Sequence, residues 1–298
     1  MRAVAGSKAE PALRHCRAIT RRRARNFYYG LTLAPEPQRS ALFAVYAWMR
    51  RADDLVDGAD GQPDAQRQGL EAFRAATDVA LGGRADGDDP LWIALADVAA
   101  RFDLDRAHFH AMLDGQLEDA RGRRYETFEQ LREYCYRVAS AVGLICIEVW
   151  GYRDPAARDL AVDRGIAFQL TNILRDYKQD FDAGRVYLPR QAFEACRLEP
   201  RELRRWSPPD RCRRLIEDHL ELAESFYRRS VPLDAMITAS CRPTLWAMTR
   251  IYHGLLEKIK QSPPRIVLGK RLRLSALQKS AIAFRARRMA RAARNGAL

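Results

Sequence analysis

This 298-residue sequence lacks cysteine pairs, long apolar runs and strand-like patterns. The six cysteines are scattered without a CxxC pair, and the five histidines lack the spacing of a metal-ligand set, so we expect a reducing compartment and no structural zinc. No stretch approaches the roughly 20 apolar residues that span a bilayer. Residues 1–25 lack the apolar core of a secretory signal. Together these absences predict a cytoplasmic protein.

Apolar residues instead recur at helical spacing in nearly every segment, which predicts an all-α fold. We find no interdomain linker and no solenoid repeat, so residues 1–298 are predicted to form a single domain, with flexible ends at 1–10 and 286–298. The predicted helices cover residues 8–31, 36–57, 63–81, 90–102, 105–120, 126–151, 154–181, 189–195, 199–206, 209–230, 233–261 and 274–294.

The chain is strongly basic, with 51 Lys and Arg against 38 Asp and Glu and a formal charge of +13. Its electrostatic field should attract anions. Nucleic acid, an acidic membrane and a diphosphate substrate all satisfy this expectation, and so does an arginine-rich composition without a specific partner.

The first informative segment is AVYAWMRRADDLVDG, in which Asp53, Asp54 and Asp57 end an apolar helix. Asp53 and Asp57 are four residues apart and project from one face, where like charges destabilise a helix unless a cation lies between them. Carboxylates near a helix C-terminus also oppose the helix dipole. The pattern therefore indicates a Mg²⁺ site, with a solvated acidic helix end as the alternative.

The second segment is GIAFQLTNILRDYKQDFDAGRVYLP. Gln169, Asn172, Asp176 and Asp180 follow one another at intervals of three or four residues, so their oxygen-bearing side chains share one stripe of a helix. Two such stripes in one all-α chain support each other. We expect the two helices to face each other across a cavity in which Mg²⁺ ions bridge a diphosphate.

The remainder of such a site is predicted from neighbouring residues. Charge-assisted hydrogen bonds to the diphosphate are expected from Arg50, Arg175, Arg185 and Tyr187. An allylic cation must be kept from water, so the cavity should otherwise be apolar and aromatic. Candidate lining residues, each of which could equally be ordinary core, are Phe27, Tyr28, Phe43 and Tyr46.

These segments resemble the squalene and phytoene synthases, from about residue 12 to about residue 285. The first block of that family is similar to NFYYGLTLAPEPQRSALFAVYAWMRRADDLVD, and the second to QLTNILRDYKQDFDAGRVYLP. RYETFEQLREYCYRVASAVGLICIEVWG, IYHGLLEKI and RLRLS resemble further family segments. The resemblance implies a class I terpenoid synthase helical bundle around a central cavity. It also implies Mg²⁺-dependent head-to-head condensation of two prenyl diphosphates through a cyclopropylcarbinyl diphosphate.

The resemblance also implies residue roles. Two or three Mg²⁺ ions would be bound by Asp53, Asp57, Asn172, Asp176 and Asp180. Diphosphate contacts are implied for Arg50, Gln169, Asn172, Arg175, Arg185, Tyr187 and Tyr252. The cationic intermediates would be flanked by Phe27 and Tyr46. The prenyl-tail channel would be shaped by Val138, Ala139, Val142 and Gly143.

The chain departs from the family pattern at two places. Ala24, Arg25 and Asn26 precede Phe27 where the family often has Ser-Lys-Ser/Thr, and Ser140-Ala141 replaces a Gly-Thr pair. These changes bear on substrate length and product. Farnesyl diphosphate and a squalene-type product through presqualene diphosphate are the first expectation, with phytoene from geranylgeranyl diphosphate as the alternative. NADPH is not indicated, because no GxGxxG follows a strand, but the resemblance does not exclude it.

Other function classes find less support. A non-catalytic assembly factor of the same family would not need both acidic motifs. Chain-elongating enzymes usually repeat DDxxD, whereas this chain has NxxxDxxxD followed by RVYLP, which favours neither chain elongation nor terpene cyclisation. No nucleic-acid-binding motif is present, so nucleic acid is not an expected partner. We expect a monomer or weak dimer. Its basic end, FRARRMARAAR, either contacts an anionic membrane from the cytoplasmic side or is a solvated helical tail.

Overall fold

The computed structural model describes residues 5–24, 26–57 and 63–295, without the side chains of residues 5–7, 26, 27, 57 and 63. In these ranges it contains helices and a single antiparallel bridge, Tyr152 to Ile237, and no strand, which confirms the all-α prediction. The helices are α1 (Ala5–Arg23), α2 (Asn26–Leu31), α3 (Gln38–Asp57), α4 (Pro63–Leu81), α5 (Pro90–Ala99), α6 (Arg106–Ala120), α7 (Phe128–Cys135), α8 (Ala141–Trp150), α9 (Ala157–Asp182), α10 (Arg190–Ala195), α11 (Pro200–Arg205), α12 (Pro209–Arg229), α13 (Leu233–Met236), α14 (Arg242–Gln261) and α15 (Ala276–Arg294). A π-helical turn, Tyr136–Ser140, joins α7 to α8.

Two helices predicted as continuous are interrupted. The predicted helix 8–31 is divided at Ala24, because α1 packs on α3 and α5 whereas α2 packs on α14. The predicted helix 233–261 is divided between α13 and α14. There the guanidinium of Arg242 donates to the carbonyl oxygens of Ala235 and Ile237, both at 2.8 Å, and so satisfies acceptors that the end of α13 leaves open.

The buried apolar residues form two clusters on either side of a central cavity. One cluster joins α1, α3, α4, α5, α6 and α8, and includes Trp48, whose Nε1 donates to Thr77 Oγ1 at 2.9 Å. The other joins α7, α9 and α12 with the segments that follow α9 and α14. Helices α9 and α14 begin in the first cluster, through Ala161 and Leu245, and continue into the second, and they line the cavity together with α3 and α8.

The π-helical turn is held by very close packing from two sides. A Cβ atom on Gly165 of α9 would lie 2.5 Å from Ser140 Cα, and one on Gly115 of α6 would lie 2.6 Å from Val138 Cγ1. Ser140 Oγ also donates to the carbonyl oxygen of Val162 at 2.7 Å. These contacts leave no room for a side chain at either glycine, and they hold Val138 and Ala139 against the cavity.

A buried arginine ties the cavity wall to three other elements. Arg164 of α9 is 3% exposed and donates from Nε to Ser230 Oγ and from Nη2 to the Ser230 carbonyl oxygen, both at 2.8 Å. Its Nη1 reaches Asp234 at 3.2 Å and also donates to Thr249. Burial lowers the pKa of Arg164, and the Asp234 carboxylate opposes that effect. Because its donors are satisfied, Arg164 fixes α9 against α13 and α14.

Candidate active site

The cavity between the two clusters has a volume of about 350 Å³ and differs chemically from one end to the other. Polar side chains lie at one end: Asp53, Gln116, Gln169, Asn172 and Tyr252. Apolar side chains close the other end: Leu42, Ile147, Trp150, Leu233 and Leu245. Along α9 the lining runs from Asn172 to Ala161, a distance of about 16 Å at the rise of an α-helix. The cavity thus combines a polar end with a long apolar chamber.

The structure brings part of the predicted site to this cavity. The predicted residues that line it are Tyr46, Asp53, Val138, Ala139, Val142, Gly143, Gln169, Asn172 and Tyr252. Those placed along or just after the two acidic helices, and not in the lining, are Arg50, Arg175, Asp176, Asp180, Arg185 and Tyr187. The side chains of Phe27 and Asp57 lie outside the described residues.

The first acidic segment ends α3 beside the cavity. Gln116 Nε2 of α6 donates a hydrogen bond of 2.7 Å to Asp53 Oδ1, and Arg50 Nη1 lies 3.7 Å from Asp53 Oδ2. Asp54 accepts from Arg23 at 2.6 Å and from Arg50 at 2.5 Å. Asp53 therefore faces the cavity, while Asp54 is directed to α1.

In the second acidic segment, Asp176 is enclosed by two guanidinium groups. Arg175 Nε donates to Asp176 Oδ1 at 2.8 Å, and Arg271 Nε donates to the same oxygen at 2.6 Å. Burial acts to raise the pKa of Asp176, but the hydrogen bonds from Arg175 and Arg271 outweigh it and lower the pKa below its ordinary value. Asp176 is therefore a half-buried anion whose charge is balanced by arginines.

Asp180, one turn further along α9, is in the opposite situation. Burial, and then the repulsion of the Asp176 carboxylate, raise the pKa of Asp180 to about 7. The turn after α9 brings Arg185 back, with its backbone N–H 2.7 Å from the Asp180 carbonyl oxygen, and the charge of Arg185 partly offsets the repulsion. Asp119 of α6 adds further negative charge and accepts hydrogen bonds from Tyr187 at 2.8 Å and Tyr134 at 2.9 Å. The region around Asp180 thus favours an added cation.

The donor set fits Mg²⁺. The side-chain oxygen Asn172 Oδ1 is buried, and among the described residues no donor reaches it, whereas Asn172 Nδ2 donates to Gln169 Oε1 at 3.3 Å. A buried oxygen without a partner is costly in a folded protein and suits a cation ligand. With Asp53, Asp176 and Asp180 nearby on α3 and α9, the ligands are oxygens, as Mg²⁺ prefers.

Two histidine clusters in the described residues also have metal-ligand spacing, and neither contains these aspartates. His108 lies with Asp105 and Glu148, and Arg158 already fills that cluster, with Nη2 3.0 Å from His108 Nε2 and Nη1 3.3 Å from Glu148. The other cluster contains Glu224, His253 and Glu257. Sequence spacing did not indicate either cluster because each needs one member from a distant helix: Glu148 from α8 in the first and Glu224 from α12 in the second.

Aromatic rings form part of the cavity wall. Phe168 stacks on Tyr252, with ring centroids 4.4 Å apart. Burial raises the pKa of Tyr252 to about 12 and also raises the pKa of Tyr46, so both phenols stay neutral. Neutral rings tolerate a nearby cation through their faces, which suits this end of the cavity to carbocation chemistry.

Three residues of the site were missed by sequence reasoning. Gln116 contacts Asp53, Arg271 contacts Asp176, and Asp119 acts on Asp180. The segment RLRLS, which contains Arg271, was noted only for its resemblance. Gln116 and Asp119 follow one another on α6 at a spacing of three, the same helical interval that revealed the other stripes, but they stand among ordinary charged residues.

Comparison with known proteins assigns the chain to a family. It is 35% identical to the 15-cis-phytoene synthase of Synechococcus elongatus over 268 residues, 84% of each protein. It is 37% identical to the phytoene synthase of Mycobacterium tuberculosis over 284 residues, 93% of this chain and 91% of that one.

Solved structures agree. The crystal structure of a dehydrosqualene synthase in complex with ligand superposes with a TM-score of 0.85 at 28% identity, over 97% of this chain and 99% of that one. The squalene synthase HpnC from Alicyclobacillus acidocaldarius gives a TM-score of 0.79 at 25% identity, over 86% and 95%. A squalene/phytoene synthase profile matches residues 20–278. These matches confirm the resemblance, and the chain belongs to the squalene/phytoene synthase family of prenyltransferases.

Proposed function

We propose that the protein joins two molecules of geranylgeranyl diphosphate head to head to give phytoene. The observation that carries this choice is the identity of 35% and 37%, over most of both chains, to proteins named phytoene synthase. It favours the alternative over the farnesyl diphosphate that we expected first. Farnesyl diphosphate with a squalene-type product remains the second candidate, because the structural relatives named above include a dehydrosqualene synthase and a squalene synthase.

In this proposal the polar end of the cavity holds the diphosphates. Two or three Mg²⁺ ions would be held by Asp53, Asp57, Asn172, Asp176 and Asp180. Bound there, Mg²⁺ would stabilise the negative charge that develops on the diphosphate as the allylic C–O bond breaks.

The arginines of the two acidic helices would orient the diphosphates. Arg175 and Arg271 already converge on Asp176, and a diphosphate reaching that carboxylate would meet both guanidinium groups. Arg50 and Arg185 would contribute charge from the ends of α3 and α9, while Tyr187 orients Asp119. The arginines would thus bind the diphosphate directly, whereas Tyr187 would be a positioning residue that acts through Asp119.

The apolar end of the cavity would hold the prenyl chains and exclude water. Val138, Ala139, Val142 and Gly143 offer small or branched apolar surfaces along which a polyene can lie. Tyr46 and Tyr252, with neutral phenol rings, would flank the cations formed on the way through a cyclopropylcarbinyl diphosphate. Loss of a proton ends the proposed reaction, so it needs no reductant, in keeping with the lack of a dinucleotide-binding motif.

The test is incubation of the purified protein with geranylgeranyl or farnesyl diphosphate and Mg²⁺, with and without NADPH, followed by mass analysis of the hydrocarbon and assay of released diphosphate. We expect a C40 product from the C20 substrate without NADPH. A C30 product formed at a higher kcat/KM would support the second candidate. Absence of Mg²⁺-dependent diphosphate release from both substrates would contradict the function.

A further inference from the structure

The net positive charge of the chain can be accounted for by its C-terminal end. Residues 258–298 contain 12 Lys and Arg and no Asp or Glu. The chain has 51 basic and 38 acidic residues, so residues 1–257 contain 39 basic and 38 acidic residues. The rest of the molecule is thus nearly neutral, and the net charge of +13 belongs almost entirely to this end. A field of one sign at one end orients a protein toward an anionic surface.

Helix α15 carries half of these cations together with exposed apolar side chains. It begins with a capping box at Ser275 and Gln278 and packs on α14 through Ala286 and Ala290, and Arg285 lies 5.2 Å from the ring centroid of Trp246. On its outer side Leu277 is 81% exposed and Phe284 is 65% exposed. These two residues are seven apart, two turns along one face of the helix.

A groove runs beside this helix, next to the cavity. It has a volume of about 520 Å³, and its lining includes Tyr29, Gly30, Ala247, Phe284 and Arg287. Tyr29, from α2, is 64% exposed. Gly30 borders the groove whereas the next residue, Leu31, borders the cavity, and Ala247 and Met248 of α14 alternate in the same way. The groove and the cavity therefore lie on opposite sides of the end of α2 and of α14.

We propose that a docking face, formed by Tyr29, Leu277, Phe284, Arg287 and Arg288, lies on an anionic lipid bilayer. Prenyl chains would then move between the bilayer and the cavity past the end of α2. The docking face has the pattern of an interfacial helix, with large apolar groups between cations that lie level with lipid headgroups. None of the described helices has the length and apolar character to cross a bilayer, so the contact is peripheral. The passage of prenyl chains rests on the proposed function, whereas the docking does not.

Charge complementarity alone would also suit nucleic acid, but the apolar side chains separate the two partners. Leu277 and Phe284 project from α15 into solvent, and a phosphate backbone offers them nothing to bury against. A bilayer offers both anionic headgroups and an apolar interior. We therefore assign the docking face to lipid.

Flotation with vesicles tests the docking. Full-length protein is mixed with vesicles of phosphatidylcholine containing phosphatidylglycerol, or of phosphatidylcholine alone, and only the anionic vesicles should carry it upward. Leu277→Ser with Phe284→Ser, and separately Arg287→Glu with Arg288→Glu, should each lower the bound-to-free ratio about tenfold. The matched controls change exposed residues elsewhere: Val231→Ser, 64% exposed, and Arg213→Glu with Arg214→Glu on α12.

The controls should float like the unchanged protein. Equal flotation of the docking-face variants, or an equal loss in the controls, would overturn the docking. So would gel-shift binding to duplex DNA that is tighter than vesicle binding and insensitive to Leu277→Ser with Phe284→Ser. Flotation requires no catalysis, so its failure is distinct from failure of the proposed function.

A second assay tests the passage of prenyl chains. Geranylgeranyl diphosphate is supplied either in anionic vesicles or in detergent micelles, and diphosphate release is measured. Leu277→Ser with Phe284→Ser should lower the rate from vesicles about tenfold and leave the rate from micelles within about twofold. Equal rates from vesicles in the variant and the unchanged protein would overturn delivery through this face.

Discussion

The two acidic segments share a helical spacing but differ in their surroundings. Asp53 is 28% exposed in its side chain and lies in the last turns of α3, where it accepts a hydrogen bond from Gln116 and has Arg50 Nη1 at 3.7 Å. Asp176 is 17% exposed, lies inside the 26-residue helix α9, and is bound by two guanidinium groups. The carboxylate one turn beyond it, Asp180, has its pKa raised to about 7, chiefly by burial.

The two segments thus differ in how closely arginines approach their carboxylates at the polar end of the cavity. In the second segment, Asp176 is held by direct hydrogen bonds from two arginines, whereas the first segment offers a more exposed carboxylate, Asp53, with a single arginine at 3.7 Å. We infer that α9 forms the fixed side of the site and that Asp53 completes it when cations and diphosphate enter. The predictions below test this inference, beginning with the largest effect.

Removing a carboxylate from either segment should nearly abolish turnover. We expect Asp53→Ala and Asp176→Ala each to lower kcat/KM by about a thousandfold or more, since charge stabilisation of the leaving group is a large part of such catalysis. Diphosphate release measures it. The control is Asp182→Asn at the end of α9, where the carboxylate binds Arg204 at 2.8 Å, and it should stay within about twofold. Near-normal activity in Asp53→Ala or Asp176→Ala would remove its assigned role.

The buried side-chain oxygen of Asn172 on α9 is predicted to bind Mg²⁺. Asn172→Leu should raise the Mg²⁺ concentration for half-maximal activity by about 10- to 100-fold, because a ligand oxygen is lost while the helix is kept. Asn172→Asp, which keeps the oxygen, should stay near the unchanged protein. An unaltered Mg²⁺ requirement in Asn172→Leu would show that this oxygen serves another purpose.

Helix α9 packs very closely on the π-helical turn at Gly165, and this packing should contribute to the stability of the fold. Gly165→Ala should lower the free energy of unfolding by about 1 to 3 kcal/mol, because its Cβ would collide with the Ser140 backbone. Chemical denaturation measures the change. Gly69→Ala, on α4, is the matched control: its Cβ would lie 3.7 Å from Leu55 Cδ2, so it should be neutral or stabilising. Equal stability of the two variants would contradict the packing account.

The smallest expected effect concerns the second arginine on Asp176. Arg271→Gln should raise KM for the prenyl diphosphate about tenfold, with a smaller change in kcat, because a charge-assisted contact to the diphosphate is lost. Arg265→Gln, exposed in the turn after α14, is the control and should leave KM unchanged. If both variants behave alike, Arg271 acts only through net charge.

Helical periodicity could predict the fold and the stripes because both depend on local spacing. Asn172 and Gln169 share a face of α9 and line one cavity with Asp53, as expected from intervals of three and four residues. Local spacing could not show that Arg271, 95 positions from Asp176, would return to it. That contact depends on how the chain folds back after α14.

The places where regular helix is interrupted also could not be predicted from the local sequence pattern. Apolar spacing continues through Ala24 although α1 packs mainly on α5 and α3 and α2 packs mainly on α14. The π-helical turn at Tyr136–Ser140 depends on glycines in two other helices, Gly115 and Gly165, whose role is visible only when the helices meet. The departure at Ser140 likewise has a basis in tertiary structure, since its hydroxyl donates to the Val162 carbonyl oxygen of α9.

The most direct test is a crystal structure of the full-length protein with Mg²⁺ and a non-hydrolysable thio-analogue of geranylgeranyl diphosphate. We predict ions contacting Asp53, Asn172 Oδ1 and Asp176, with the prenyl chain extending toward Trp150. Ions bound instead at Glu224, His253 and Glu257, with the diphosphate outside the cavity, would contradict the account.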